Sequence, residues 1–302
     1  MSNVTTLPAI DLNNFSASKL ASSALIVNLS LSVWTGRKLD KRVSEEVDQA
    51  KSTKTRAGNY HKNLLAGSGK LENIGKIANA CRGWLYSVTQ PWGDNGDRIL
   101  PVTTLLEFKS RLTDYEQQFG TAVNEFLNDY DTLVAAAAFQ LGDLFNREDY
   151  PTRDMIENKF GFRYSLMPLP QAGDFRVDVG NDGLKELQDQ YERVMEQRVV
   201  GAMTEAWDRL HDVLSRMSER LTDATDENGD PKRKIFRDSL IDNAVEICQL
   251  LKSFNITNDM RMDEMRKQLE DALQHVDAQT LRDSDHLRMQ TKAKVDALLS
   301  KF

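Results

Sequence analysis

The chain has 302 residues, enough for two compact domains or for one elongated body with a thin core. Charged residues make up 28% and hydrophobic ones 40%, a balance that excludes a disordered polar chain and fits a helix-rich fold. The net charge of −7 opposes binding of the whole molecule to nucleic acid or anionic membranes, yet between Thr35 and Gln90 eleven Lys/Arg stand against five Asp/Glu, a local surplus of +6 that leaves −13 for the remainder.

In chain order, Met1 to Asn14 lacks the basic start, apolar core and small-residue cleavage site of a secretory signal, so a cytoplasmic location is expected. From Ala24 to Trp34, Leu25, Val27, Leu29, Leu31 and Val33 alternate with polar residues, and that period of two predicts a half-buried strand. Between Asp40 and Gln90 the periodicity is helical but interrupted at Gly58 and at Ala66-Gly67-Ser68-Gly69, which predicts helices over 40–66 and 70–89. The loop-forming run Pro91 to Asp97 follows and is the preferred domain boundary.

After a cap at Thr103 or Thr104, apolar residues from Leu105 to Leu144 recur in steps of three and four. A helix of this length spans roughly 60 Å and must protrude or pair lengthwise. Leu184 to Leu221 repeats in the same way and supplies a partner, so an antiparallel coiled coil is expected, with Arg198 marking a stutter or a shift of the seam onto Val199. Between the two helices, over 151–180, alternating runs at Phe160–Leu166 and Phe175–Val179 flank Pro168 to Gly173 and predict a β-hairpin at the tip. The acidic turn Thr222 to Lys234 then ends the second long helix, and helices over 234–254 and 258–300 follow. The expected fold is therefore mainly α with a minor β element: an N-terminal strand and basic helical region (1–92), a long helical hairpin with its tip (93–225) and C-terminal helices (226–302).

Motifs that would carry catalysis fail on inspection. Gly67-Ser68-Gly69-Lys70 resembles a phosphate loop, but Leu64 stands where its first glycine belongs and Leu71 where the Mg²⁺-binding hydroxyl belongs, which rejects an NTPase site. Asp226, Asn228 and Asp230 have the spacing of calcium-loop ligands, but Pro231 and Arg237 replace the required Gly and Glu. His61, His211, His275 and His286 form no metal-binding spacing, and Cys81 and Cys248 read as buried free thiols. No enzyme, metal or cofactor is expected. The basic tract Arg37, Lys38, Lys41, Arg42, Lys51, Lys54, Arg56 and Lys62, with Tyr60 and Trp84 as stacking surfaces, is a candidate nucleic-acid site; the bland alternative is a set of solvated helix faces. Thr132 to Phe145 is apolar on nearly all sides, so additional helices are expected to cover it; the sharper alternative is conditional membrane insertion, in the manner of helical pore-forming toxins. No run is long enough for a transmembrane helix, and no membrane partner is expected.

Two stretches, Ile26-Val27-Asn28-Leu29-Ser30-Leu31-Ser32-Val33-Trp34-Thr35-Gly36-Arg37-Lys38 and Pro168-Leu169-Pro170-Gln171-Ala172-Gly173-Asp174-Phe175-Arg176-Val177, resemble a family of uncharacterised proteins encoded by tailed bacteriophages. The resemblance implies a phage protein in the host cytoplasm. Members often lie beside genes for MoxR-type AAA+ ATPases and von Willebrand A-domain proteins, which implies a substrate or adaptor role in a remodelling complex; the family offers no catalytic residues to carry over. The expected function is non-enzymatic protein–protein interaction in a larger assembly, with self-association. Its first-choice contact is the hairpin tip, at Leu166, Met167, Pro168, Leu169, Pro170 and Phe175, because loops held on a rigid scaffold tend to carry contacts.

Overall fold

A computed structural model describes residues 8–10, 12, 15–170, 180–222, 224–225, 231–232 and 237–302. The fold is mainly helical with a small antiparallel sheet. Helix α1 (Ala17–Ser23) runs into β1 (Ala24–Ser32), and β2 (Arg37–Leu39) precedes α2 (Lys41–Ala50). Strand β3 (His61–Asn63) leads to α3 (Gly69–Val88), β4 (Gln90–Pro91), β5 (Arg98–Pro101) and the long α4 (Leu105–Leu141). Then come α5 (Arg153–Glu157), β6 (Gly161–Pro168), α6 (Gly180–Leu221), β7 (Ala224–Thr225) and β8 (Pro231–Lys232). Four helices close the chain: α7 (Ser239–Phe254), α8 (Met260–Leu273), α9 (Ala278–Asp283) and α10 (Asp285–Leu299).

Four strands form one sheet in the order β4-β5-β1-β6, with Leu25 opposite Leu100 and Ile26 opposite Ile99. The alternation seen around Ala24 to Trp34 thus becomes a central strand. The run Pro91 to Asp97 is the turn of a hairpin, because Gln90 and Pro91 pair with Ile99 and Arg98. The first run of the expected tip hairpin is β6, which pairs with β1; the second run, 175–179, lies outside the described residues.

Contacts divide the chain into two units, one of residues 1–28, 87–105 and 165–302 and a second of 29–86 and 106–164. This division differs from three consecutive regions, because each unit collects segments distant in sequence. In the first unit α6 is central: Val199, Trp207, Leu210, Leu214 and Met217 have no exposed surface and share a core with Leu251, Leu269 and Val295. On α6 the buried stripe passes through Val199, and its neighbour Arg198 is exposed. In the second unit the α4 residues Phe119, Val123, Phe126, Tyr130, Val134 and Ala137 pack with Ile74 and Ala78 of α3 and with Tyr150 and Ile156. The two long apolar stripes are therefore buried in separate cores, whereas a lengthwise coiled coil would bury them against each other. The aromatic content of α4 explains the difference. Rings at 119, 126 and 130 need a broader core than a two-helix seam, and Phe160, Phe162 and Trp34 supply it, with Phe160 at 5.5 Å from Phe126 and Phe162 at 5.8 Å from Phe119.

Two helix expectations also shorten. The helix expected over 40–66 ends at Ala50, where Ser52 turns left-handed (φ 53°), and His61–Asn63 instead pair with Arg37–Leu39. The helix expected over 258–300 breaks into three, because His275 is left-handed (φ 60°), Asp277 and Thr280 form a reciprocal cap that starts α9, and Ser284 caps α10. Arg288, almost fully buried on α10, donates to the carbonyls of Arg220 and Leu221, so it satisfies the otherwise open C-terminal end of α6.

Candidate functional site

The basic tract separates into committed and open cations. Strands β2 and β3 pair Arg37 with Asn63 and Lys38 with Lys62. Lys62 points inward, with only 6% of its surface exposed; its Nζ lies 2.7 Å from an Asp149 carboxylate oxygen and 3.3 Å from one of Asp40, and donates to the Leu144 carbonyl at 2.7 Å. Burial opposes the Lys62 charge, but the hydrogen bonds and attraction of Asp149 and Asp40 outweigh it and raise the ammonium above its ordinary value. The Val43 amide, which donates to Asp40 at the start of α2, and the Lys62 ammonium hold the Asp40 carboxyl below the usual carboxylate value against the effect of burial. Lys62 is thus a structural pin, and it leaves the list of cations that can meet a phosphate.

The signs of these shifts fix a pH window. A depressed Asp40 contributes stability that is present above the ordinary carboxylate value of 3.8 and is lost as pH falls through its lower folded value. A raised Lys62 contributes stability that is complete below 10.5 and is lost as pH rises through its higher folded value. Thermal unfolding followed against pH is expected to show both limbs, and Asp40→Asn is expected to flatten the acid limb.

Of the remaining cations, Arg42 pairs with Glu46, and Arg56 pairs with Glu45 and Asp48, all near the surface, where such pairs stabilise little. Arg37, Lys38, Lys41, Lys51 and Lys54 are exposed and form no ion pair with a described residue. Tyr60 stays 40% exposed, but Trp84 is stacked on Phe108 at 5.0 Å and held by Tyr115 at 5.5 Å, so it is not an open stacking surface.

At the expected tip, Leu169 is buried in the core of the first unit, and the Tyr191 hydroxyl donates to the Pro170 carbonyl. Met167 and Pro168 remain exposed, Leu166 is half-buried and Phe175 lies outside the described residues. The segment is therefore fastened at 169–170, where a free tip was expected, because a leucine next to two prolines gains more from a core than from water.

The most open apolar surface lies elsewhere. On the last turns of α4, Val134 and Ala137 face the core while Ala135, Ala136 and Ala138 are exposed, and the Phe139 ring is 96% exposed. No described helix covers this face, contrary to the expectation for Thr132 to Phe145. The face was legible as excess apolar character, but the direction of the ring was not. Residues 132–142 carry no charge, and Ala135 and Ala136 lie one turn before Phe139, on its side of the helix. No helix among the described residues is long and apolar enough to cross a membrane.

A second polar cluster, invisible as a motif, lies in the first unit. Arg98 donates to the Thr89 hydroxyl and carbonyl at 2.6 Å each and faces Glu205 at 3.5 Å, while Arg209 donates to the carbonyls of Ser87 and Thr89 and also pairs with Glu205. Gln90 donates to the Ala202 carbonyl at 2.9 Å. These bonds fasten residues 87–98 to α6. The cluster's donors are spent on fixed backbone and carboxylate acceptors, which suits a scaffold.

Among the described residues no group of three or more His, Cys, Asp or Glu is placed to hold a metal ion. The Cys81 and Cys248 thiols are buried, and burial pushes them up to about 11 and about 12, which leaves little thiolate for nucleophilic attack. No family model matches the chain, and neither a curated protein nor a solved structure matches it.

Proposed function

We propose that the chain is a non-enzymatic assembly protein that self-associates through the exposed end of α4. The observation that carries this reading is Phe139, a ring 96% exposed beside the bare alanine faces at 135 and 136. An exposed large apolar patch on a folded chain marks a contact. A projecting ring next to shallow alanine hollows on one face is self-complementary, which is what a two-fold contact between identical copies requires. The uncharged run 132–142 allows two copies to approach without like-charge repulsion. The resemblance to the tailed-phage family extends the reading to an adaptor in a complex remodelled by an AAA+ ATPase, which the assembled form would present to that partner.

Phe139→Glu tests this without disturbing the core, since the side chain touches little of its own chain. Light scattering on wild-type protein is expected to give a mass above the 34.3 kDa of one chain, and the variant is expected to return to 34.3 kDa with an unchanged melting temperature. A wild-type monomer at every concentration, or an oligomer indifferent to the substitution, would sink the reading.

A second reading, nucleic-acid binding, is favoured by the five exposed cations Arg37, Lys38, Lys41, Lys51 and Lys54, which form no ion pair with a described residue. It requires affinity that falls steeply with salt.

A further inference from the structure

A hollow beside α2 adds shape to the charge of the basic tract. Of the α2 residues only Ser44 is buried, and Val47, on the same helix, stays 52% exposed and joins neither core. After α2 the chain turns at the left-handed Ser52 and runs back along the helix. The Thr53 amide donates to the Asp48 carbonyl at 3.0 Å, the Ala57 amide to the Asp48 carboxylate at 3.1 Å and the Tyr60 amide to the Ser44 hydroxyl at 2.9 Å. The Tyr60 carbonyl accepts from the Asp40 amide at 2.9 Å, so main-chain bonds fix residue 60 whatever its side chain. Between the helix and this returning loop lies a cavity of about 320 Å³, with Val47, Lys51, Ala57, Gly58, Asn59 and Tyr60 in its wall.

We infer that this hollow takes one unstacked base of a single-stranded nucleic acid, with Lys51 and Lys54 meeting the adjacent phosphates. The inference rests on the nucleic-acid reading and narrows it to single strands. The volume lies at the low end of small-molecule sites, roughly 300–1,000 Å³, which suits one ring system and not a stacked run. Tyr60 and Val47 offer exposed apolar surface on which the face of a base sheds water; every base has such a face, so the contact is tolerant of sequence. An apolar side chain of a protein partner would gain from the same surface, and charge decides between the two. Lys51 in the wall and Lys54 in the same loop are exposed and form no ion pair with a described residue. From Arg37 to Tyr60 seven Lys/Arg stand against four Asp/Glu, a surplus of +3 on a chain of net charge −7. Asp48, also in the wall, is spent on the Ala57 amide and on Arg56 at 3.8 Å. A polyanion with an apolar ring therefore fits better than an apolar peptide. A duplex keeps its base faces stacked on one another and leaves the hollow empty.

Fluorescence polarisation of the full-length chain with a labelled oligothymidylate, its duplex with oligoadenylate and an abasic strand of equal length tests the site. The oligothymidylate is expected to bind about fivefold or more tighter than either other probe. Tyr60→Ala is expected to remove that preference and leave the salt dependence unchanged, while Tyr60→Phe retains the preference. Lys51→Gln is expected to weaken binding and to lower the salt slope by about one. Lys38→Gln, outside the hollow, is expected to weaken all three probes alike. Melting temperatures verify that each variant is folded. Equal affinity for the three probes, or a preference that survives Tyr60→Ala, would overturn the base site while leaving the nucleic-acid reading in place; no salt-sensitive binding to any probe would overturn both.

Discussion

Lys62→Met is expected to destabilise the second unit by about 3–5 kcal/mol, the range for removing one partner of a buried ion network. The methionine keeps most of the apolar stem, so packing changes little. What changes is electrostatic. Asp40 and Asp149, both largely enclosed, are left facing each other without the ammonium between them, and the Leu144 carbonyl loses its donor. Urea unfolding followed by a probe in the second unit checks the size of the loss. Adding Asp40→Asn and Asp149→Asn to Lys62→Met is expected to recover much of the stability, since a neutral site removes the repulsion that the single change creates. A single-variant loss under about 1 kcal/mol, as for a surface pair, would show that the network is solvated. The same variant separates two meanings of the basic tract, because Lys62 acts on stability while Arg37, Lys38 and Lys41 are open to a ligand.

Trp207→Ala is expected to cost about 3–5 kcal/mol in the first unit, the range for a large aromatic truncated in a packed core. Trp207 has no exposed surface on α6, and its ring meets Phe302 edge-on at 5.6 Å. Its indole N–H is buried with no hydrogen-bond partner, so neither substitution breaks a bond there. Such a donor costs about 1–3 kcal/mol to enclose, so Trp207→Phe leaves a smaller cavity and also removes that penalty. The phenylalanine variant is therefore expected to lose well under half of what the alanine variant loses. Equal losses for the two, read by calorimetry, would contradict this account of the Trp207 core, since the two variants differ in the cavity they leave.

Much of the fold was legible because local patterning and tertiary burial agree. The alternation around Val27 survives as the central strand, and the three-and-four spacing from Leu105 and from Leu184 survives as α4 and α6. What the pattern does not encode is which stripe meets which. A helix stripe records that one side is apolar, and the rings of Phe119, Phe126 and Tyr130 are satisfied by Phe160, Phe162 and Trp34 rather than by a second long helix. The short pairing of Arg37–Leu39 with His61–Asn63 was hidden because three-residue strands carry no periodicity, and charged residues at both dominate the local composition. Cations were visible as a tract, but only the fold reveals that Lys62 turns inward. The exposed ring at Phe139 is likewise a property of direction, which a linear pattern does not carry.

The central claim, that copies of this chain meet through the end of α4, is tested most directly by cysteine cross-linking. Cys81 and Cys248 are buried, so a single new cysteine at Ala136 is the reactive thiol among the described residues. Treated with a short bismaleimide at micromolar protein, Ala136→Cys is expected to give linked dimers rapidly, whereas a control cysteine at Glu116, exposed on a different side of the same helix, is expected to link slowly. Equal rates at the two positions, or no linked dimer from Ala136→Cys, would contradict self-association through this face.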